Sequence, residues 1–217
     1  MQFGKPFTYV FEDPDWLKKV VIMGLITLIP VLGQIVLVGW VIDIIKKMIS
    51  HEAVTLPNLD FGGQLSRGFG AAVVSVVYAL PIIVLAIIQS IFLAILTSVT
   101  NGDSGDVVGI VTILLSVCFG LLYLVLGIAL YFALPMAYGK YAEAGKISAA
   151  LKFGEIFGLI KKAPGPIFIA LIGALIASLI APLGSIACAV GVLLTLVYGS
   201  AISAHFYGQA YMIASGK

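Results

Sequence analysis

Five apolar runs, almost free of ionisable side chains, occupy most of the sequence and leave the chain little choice of solvent. They extend over 20–45, 68–99, 107–138, 166–180 and 184–207. Hydrocarbon offers no water to backbone N–H and C=O groups, so a chain crossing it must be helical or a closed barrel. The ten-residue alternation of barrel strands is absent, and the runs are therefore helices. Composition points the same way: 61% of the residues are hydrophobic and only 10% charged, against about a quarter charged in a soluble domain. A mean hydropathy of +1.17 leaves too little polar surface to clothe a globule of this size. The expected class is all-α, a polytopic transmembrane helical bundle forming a single integral membrane domain over 1–217. It has about four spanning helices, a Pro/Gly-broken first segment and an interfacial amphipathic helix. A net charge of +2 with dispersed lysines gives no footprint for nucleic acid.

The second and third runs exceed the roughly 20 residues that a 30 Å core requires. Pro81 and Pro135 are the expected kink points, since each removes a backbone donor. Between runs three and four, the stretch 140–162 carries Ser148, Lys152, Glu155 and Lys162 at helical spacing among Leu151, Phe153, Ile156, Phe157 and Ile160. It reads either as a helix in the interface plane or as a cytoplasmic extension beneath the bundle. Residues 50–67, with Pro57, Asn58, Gly62 and Gly63, read as a surface elbow. The aromatic and acidic segment 1–19 lacks the basic start and small-residue cleavage site of a secretory signal and is expected to be retained. Cys118 and Cys188 fall inside apolar runs and read as buried hydrophobes.

The twelve basic residues test the topology, because Lys and Arg collect on the cytoplasmic side. The loop Thr100 to Asp106 contains none and is expected outside. A first run that spans fully would put Lys5, Lys18 and Lys19 outside as well. A first run that dips in and turns back at Pro30 and Gly33 keeps all twelve on the cytoplasmic side, with both chain termini. Proline ends one half-helix, and Gly33 can take positive φ to begin the next. The halves are about 15 to 20 Å long at 1.5 Å per residue, enough to reach the midplane. A second break is expected at Pro182 and Gly184, where the sequence Leu179 to Ser185 echoes Leu28 to Gln34. Such an echo is either an inverted repeat of the transporter kind or a shared turn solution.

Ionisable groups within a membrane are usually functional, and few occur here. Asp43 lies within one turn of Lys46 and Lys47 and is expected to pair with them. His205 is either a hydrogen-bonded core residue or a ligand or proton relay. Glu12, Asp13, Asp15, Glu143 and Glu155 read as solvated surface charges. There is no metal-ligand spacing, nucleophile motif or phosphate loop, so no catalytic residue, metal or cofactor is expected, and the chain is not expected to be an enzyme. Small residues recur at helix-packing spacing instead: Ala170, Gly173, Ala174 and Ala177 in run four, Ser200, Ala204 and Gly208 in run five, and Gly120 with Gly127 in run three. They close the bundle internally or join protomers. Gln34 and Gln89 are expected to hydrogen-bond across helices.

The segments LIPVLGQIVLVGW, LPNLDFGGQLSRGF leading into VVYALP, MAYGKYAEAGKISAALKFGEIFGLIKKAP and AHFYGQAY together resemble a family of prokaryotic multi-pass membrane proteins catalogued as domain of unknown function 4013. The likeness covers nearly the whole chain and implies class and extent, without an activity. The functional expectation is a non-catalytic, self-associating scaffold or membrane-organising subunit in the inner or cytoplasmic membrane. Its partners would be lipid and copies of itself or other subunits of a complex. The alternative is a transporter or pore for an uncharged or lipidic solute.

Overall fold

The computed structural model describes residues 1–52, 55–99 and 106–217, and every regular element among them is helical. A short α1 (Lys5–Thr8) and a 3-10 turn (Tyr9–Glu12) precede α2 (Trp16–Thr27) and α3 (Leu32–Ile49). Two long helices follow, α4 (Phe61–Val99) and α5 (Asp106–Ala144), then α6 (Ile147–Ala150), α7 (Phe153–Lys162) and α8 (Pro164–Leu183). A second 3-10 turn (Gly184–Ala187) leads into α9 (Cys188–Ser215). The chain is an all-α polytopic membrane protein. Among the described residues, α4 and α5 are each long and apolar enough to cross a bilayer, and the bent pair α7–α8 makes a third if counted as one span. The loop expected outside, 100–105, falls beyond the described residues, as do the surroundings of Cys188.

The residues fall into two compact units, Met1–Ser75 with Phe132–Lys217, and Val76–Tyr131. The second unit is built from the C-terminal part of α4 and the N-terminal part of α5. Ile87, Ile91, Leu114, Leu121 and Val125 are all more than half exposed, a surface that is untenable in water and required in lipid. Inside it, the Tyr123 hydroxyl donates to Gln89 Oε1 at 2.7 Å, and Phe92 packs near Phe119. Both helices run through Pro81 and Pro135 without interruption. Cys118 is exposed rather than buried, as befits a small apolar side chain facing lipid.

The larger unit is organised along α9. The Gln2 N–H donates to Gln209 Oε1 at 2.9 Å, Tyr9 donates its hydroxyl to the Ala201 carbonyl, and Tyr198 donates to that of Phe7. The chain thus descends beside α9 until Gly24 lies against Leu193. It then doubles back, because α3 brings Met48 to Gly208. The α8–α9 seam is the small-residue one. Ala170, Ala174, Ala177 and Ala204 are buried, Gly173 makes room for the Phe206 ring, and Gly199 for the Ala177 carbonyl. The α3–α4 crossing is closer still: a Cβ on Gly39 would lie 1.8 Å from the Gln64 oxygen, and one on Gly68 1.8 Å from the Ile35 oxygen.

Several boundaries differ from the sequence reading for local reasons. The first run is two helices, and the positive φ falls on Val31 (φ 64°, ψ −58°) rather than on Gly33. Leu32 N–H donates to Pro30 O at 2.7 Å, the i to i+2 bond of a strained γ-turn. Gly33 serves close approach instead, since its Cβ would strike the Ile26 oxygen. The fourth helix starts at Phe61, where Asp60 Oδ1 accepts from the Gly63 N–H as an N-cap. Nor is 140–162 one helix: α5 continues to Ala144 and stops at Gly145, whose φ is +64°, leaving α7 as the amphipathic element. Proline 182 lies inside the last turn of α8, so the second break falls just after it.

Gly39→Ala and Gly68→Ala are expected to force α3 and α4 apart, each costing about 1–3 kcal/mol as overpacking does. Lowered melting temperatures in detergent, with Gly120→Ala unchanged as the open-space control, are the check.

Candidate functional site

The richest polar constellation is assembled around the elbow, residues 55–60, within the larger unit. Asp13 is 2% exposed and accepts from Lys19 Nζ at 2.7 Å, from its own turn through the Asp15 N–H and from the Leu56 N–H at 2.9 Å. Lys19 also donates to the Leu56 carbonyl. One buried ion pair therefore fastens residues 13–19 to the elbow. Trp40 Nε1 donates to Pro57 O at 3.0 Å, Gln64 Nε2 to Asn58 O, and Lys47 Nζ to the Thr55 hydroxyl. Three helices thus grip a segment with no helical bonds of its own, satisfying backbone groups that would otherwise be orphaned.

Asp43 does not pair with Lys46 or Lys47. It takes Arg67 instead: Nη2 donates to Oδ2 at 2.9 Å, and Nε lies 2.6 Å from Oδ1 as an ion pair without the geometry of a second hydrogen bond; Arg67 reaches Asp60 as well. The α3–α4 glycine crossing brings this residue of the next helix within reach, and a planar guanidinium matches a carboxylate better than a neighbouring ammonium does. Gly63, in the first turn of α4, lies beside this cluster, where a Cβ would crowd the Asp60 carboxylate.

The residues singled out from sequence are dispersed. Pro30 and Gly33 form the α2–α3 turn, and Gln34 Nε2 donates to Thr27 O at 3.4 Å, covering a carbonyl at the broken end of α2. Gly184 is buried beside the Gly191 oxygen; it touches the helix that follows it, whereas Gly33 touches the one before, so the two echoed segments turn differently. Gln89 lies in the second unit. His205 is 3% exposed, stacks on Tyr9 at 4.5 Å and shares a 2.9 Å bond from Nδ1 with Gln209. Those contacts describe a buried histidine hydrogen-bonded through Nδ1. Ser200 returns its hydroxyl to Leu196 O. Glu143 is engaged by Tyr211, Lys217 and Lys140, joining the ends of α5 and α9. Among the described residues no group of His, Cys, Asp and Glu could hold a metal.

Sequence reading missed the Asp13–Lys19 pair, Arg67 and Trp40. A signal existed for one: Asp60 followed by Gly63 and Arg67 marks a helix start with a charge one or two turns on.

Residues 22–190 match the family described as "Protein of unknown function (DUF4013)". The chain belongs to this family. The matched region contains both turns, the elbow from 55 to 60 and the Asp43–Arg67 ion pair, while Asp13 and Lys19 lie just before it. No curated protein and no solved structure matches.

Burial pushes the Asp13 carboxyl up, but the bonds from Lys19, Asp15 and Leu56 outweigh it and hold it below the ordinary 3.8. A carboxyl depressed in the folded state contributes stability above its unfolded pKa and loses it as pH falls through the folded one. The stability that Asp13 contributes should be fully present and independent of pH near neutrality, and melting temperature should fall below about pH 4. Asp13→Asn should cost on the order of 2 kcal/mol at neutral pH and flatten that acid limb.

Proposed function

We propose that the protein is a non-catalytic membrane-organising scaffold of the inner membrane that inserts two helical wedges from the cytoplasmic side and assembles with copies of itself or with other subunits. One observation carries the reading: the turns of both hairpins are apolar at the surface. Leu28 is 60% exposed, Val31 70% and Leu183 60%, and the only exposed hydroxyl at the second turn, on Ser185, is returned to Pro182 O. A turn that emerged into water would carry polar residues; these read as tips that stop in hydrocarbon. The first descent is short, since the twelve residues of α2 rise about 18 Å, well under a 30 Å core; the twenty of α8 rise about 30 Å and carry the second tip to its far edge.

The elements at the opposite end suit an interface. Trp16, Lys18 and Lys19 form the first turn of α2, and Trp and Lys anchor at headgroup level. The amphipathic α7 meets α8 at 95°, with Ile156 buried and Lys161 and Lys162 exposed. On this reading the first run is re-entrant, and Met1 and Lys217 face the cytoplasm with all the basic residues. A bundle whose wedges, interfacial helix and charges lie toward one leaflet acts on lipid asymmetrically. The small-residue seam is used within the protomer, leaving self-association to other lipid-facing surfaces.

A groove of about 330 Å³ between α3, α8 and α9, lined by Val41, Ala177, Gly199 and Ser203 among others, favours the transporter reading for a lipidic solute. Size in native lipid separates the two: a single closed oligomer supports the scaffold, and a monomer supports transport.

Val31→Asp should place a charge in hydrocarbon at a cost of about 2.5–3.5 kcal/mol and sharply reduce the inserted protein. A variant that accumulates normally would show the tip in water. Gln2→Cys should stay unlabelled by an impermeant thiol reagent in intact cells; labelling there would put the start of the chain outside.

A further inference from the structure

The two lysine pairs that bracket the first apolar run, Lys18–Lys19 and Lys46–Lys47, are brought to opposite sides of the same elbow, Pro57–Asn58, each beside a cavity. In each pair one lysine is spent on the elbow: Lys19 on Asp13 and Leu56, Lys47 on Thr55. The first cavity, about 260 Å³, differs from the second in its walls. Its walls are the apolar side chains Ile22, Met23 and Trp40, and its rim carries Asp15, Lys18 and Lys19. The second has no such apolar wall and is lined mainly by charges, of which Asp43 and Arg67 pair with each other.

Charge at the first rim is what selects a ligand. Lys19 is neutralised by the buried Asp13. Lys18 and the Asp15 carboxylate form no ion pair among the described residues, and Asp15, although it precedes α2, makes no side-chain cap bond. The rim thus offers one open cation and one open anion above an apolar pocket, at the level where Trp16 and the lysines meet the headgroups. Its volume lies just below the usual small-molecule range of about 300–1,000 Å³, which suits a headgroup and glycerol with the acyl chains left in the bilayer.

We infer that this cavity binds the headgroup of a zwitterionic aminophospholipid, its phosphate held by Lys18, its primary ammonium by Asp15, and its glycerol region against Ile22 and Leu59. An anionic headgroup would leave Asp15 facing negative charge. A choline headgroup has no N–H to give the carboxylate. The inference rests on the scaffold reading only in placing Lys18 at the bilayer interface.

The test uses the full-length protein in detergent, titrated in parallel with dihexanoyl phosphatidylethanolamine, phosphatidylglycerol, phosphatidylcholine and inorganic phosphate, with melting temperature as the readout. Phosphatidylethanolamine should raise it by several degrees and the other three by little. Lys18→Gln should abolish the shift and Lys18→Arg retain it. Asp15→Asn should reduce the ethanolamine response to the choline level. Lys162→Gln, which removes the same charge from α7, should leave the response intact. A larger shift with phosphatidylglycerol, an equal one with inorganic phosphate, or equal loss in Lys162→Gln would each overturn the proposal. Because oligomer size and Gln2→Cys labelling do not enter this measurement, its failure would leave the scaffold reading standing, and the reverse also holds.

Discussion

A helix that stops among apolar side chains strands the carbonyls of its last turn, and the fold of the first 49 residues depends on how that cost is met. At the end of α2 the Leu25 and Ile26 carbonyls accept from Leu28 and Ile29, Ile29 accepts from Gly33, and Pro30 accepts across the γ-turn. Thr27 O is covered by the Gln34 amide, which makes this glutamine part of the turn rather than an isolated polar residue. Because the backbone is satisfied locally, the side chains at the tip are free to be leucine, isoleucine and valine. The strain at Val31, where a β-branched residue takes φ of 64°, is of the order of 1–3 kcal/mol and is small beside the loss of several buried carbonyl bonds.

Once α2 and α3 double back, everything downstream is a matter of close approach. Two glycines, Gly39 and Gly68, let α3 and α4 cross backbone to backbone. That crossing brings Arg67 to Asp43 and Gln64 to the elbow. The elbow then lies where Trp40, Lys19 and Lys47 can bond it. The polar cluster is thus a consequence of two missing side chains. Lipid gives apolar helices no hydrophobic reason to associate, so packing and hydrogen bonds of this kind must hold them.

What the sequence made legible follows the physics of each signal. Helical class and the position of the apolar runs were readable because hydrocarbon admits few solutions. The break at residues 28–31 was readable from proline. Its geometry was not: nothing local distinguishes a glycine needed for φ from one needed for space, and Gly33 proved to be the second kind. Asp43 was assigned to Lys46 and Lys47 because an i,i+3 pair is the nearest option in sequence, whereas its partner Arg67 came from the next helix. Asp13 looked like a solvated charge in an acidic stretch, and only the fold could bury it against Leu56. The end of α5 was missed because Gly145 acts through a positive φ, which an amphipathic pattern running past it conceals.

The two echoed segments show how a shared composition can serve different ends. Each has a proline, a leucine at the exposed tip and a glycine whose absent side chain admits a backbone oxygen. In the first, the oxygen belongs to Ile26 in the helix before; in the second, it belongs to Gly191 in the helix after. An inverted repeat would turn alike in both copies, but the first break is a γ-turn between two helices and the second a 3-10 turn of four residues. The common element is the requirement itself. A chain that must reverse with an apolar surface can use neither polar turn residues nor water, so it falls back on proline to end one helix and on glycine to let the next pack close enough to close the turn.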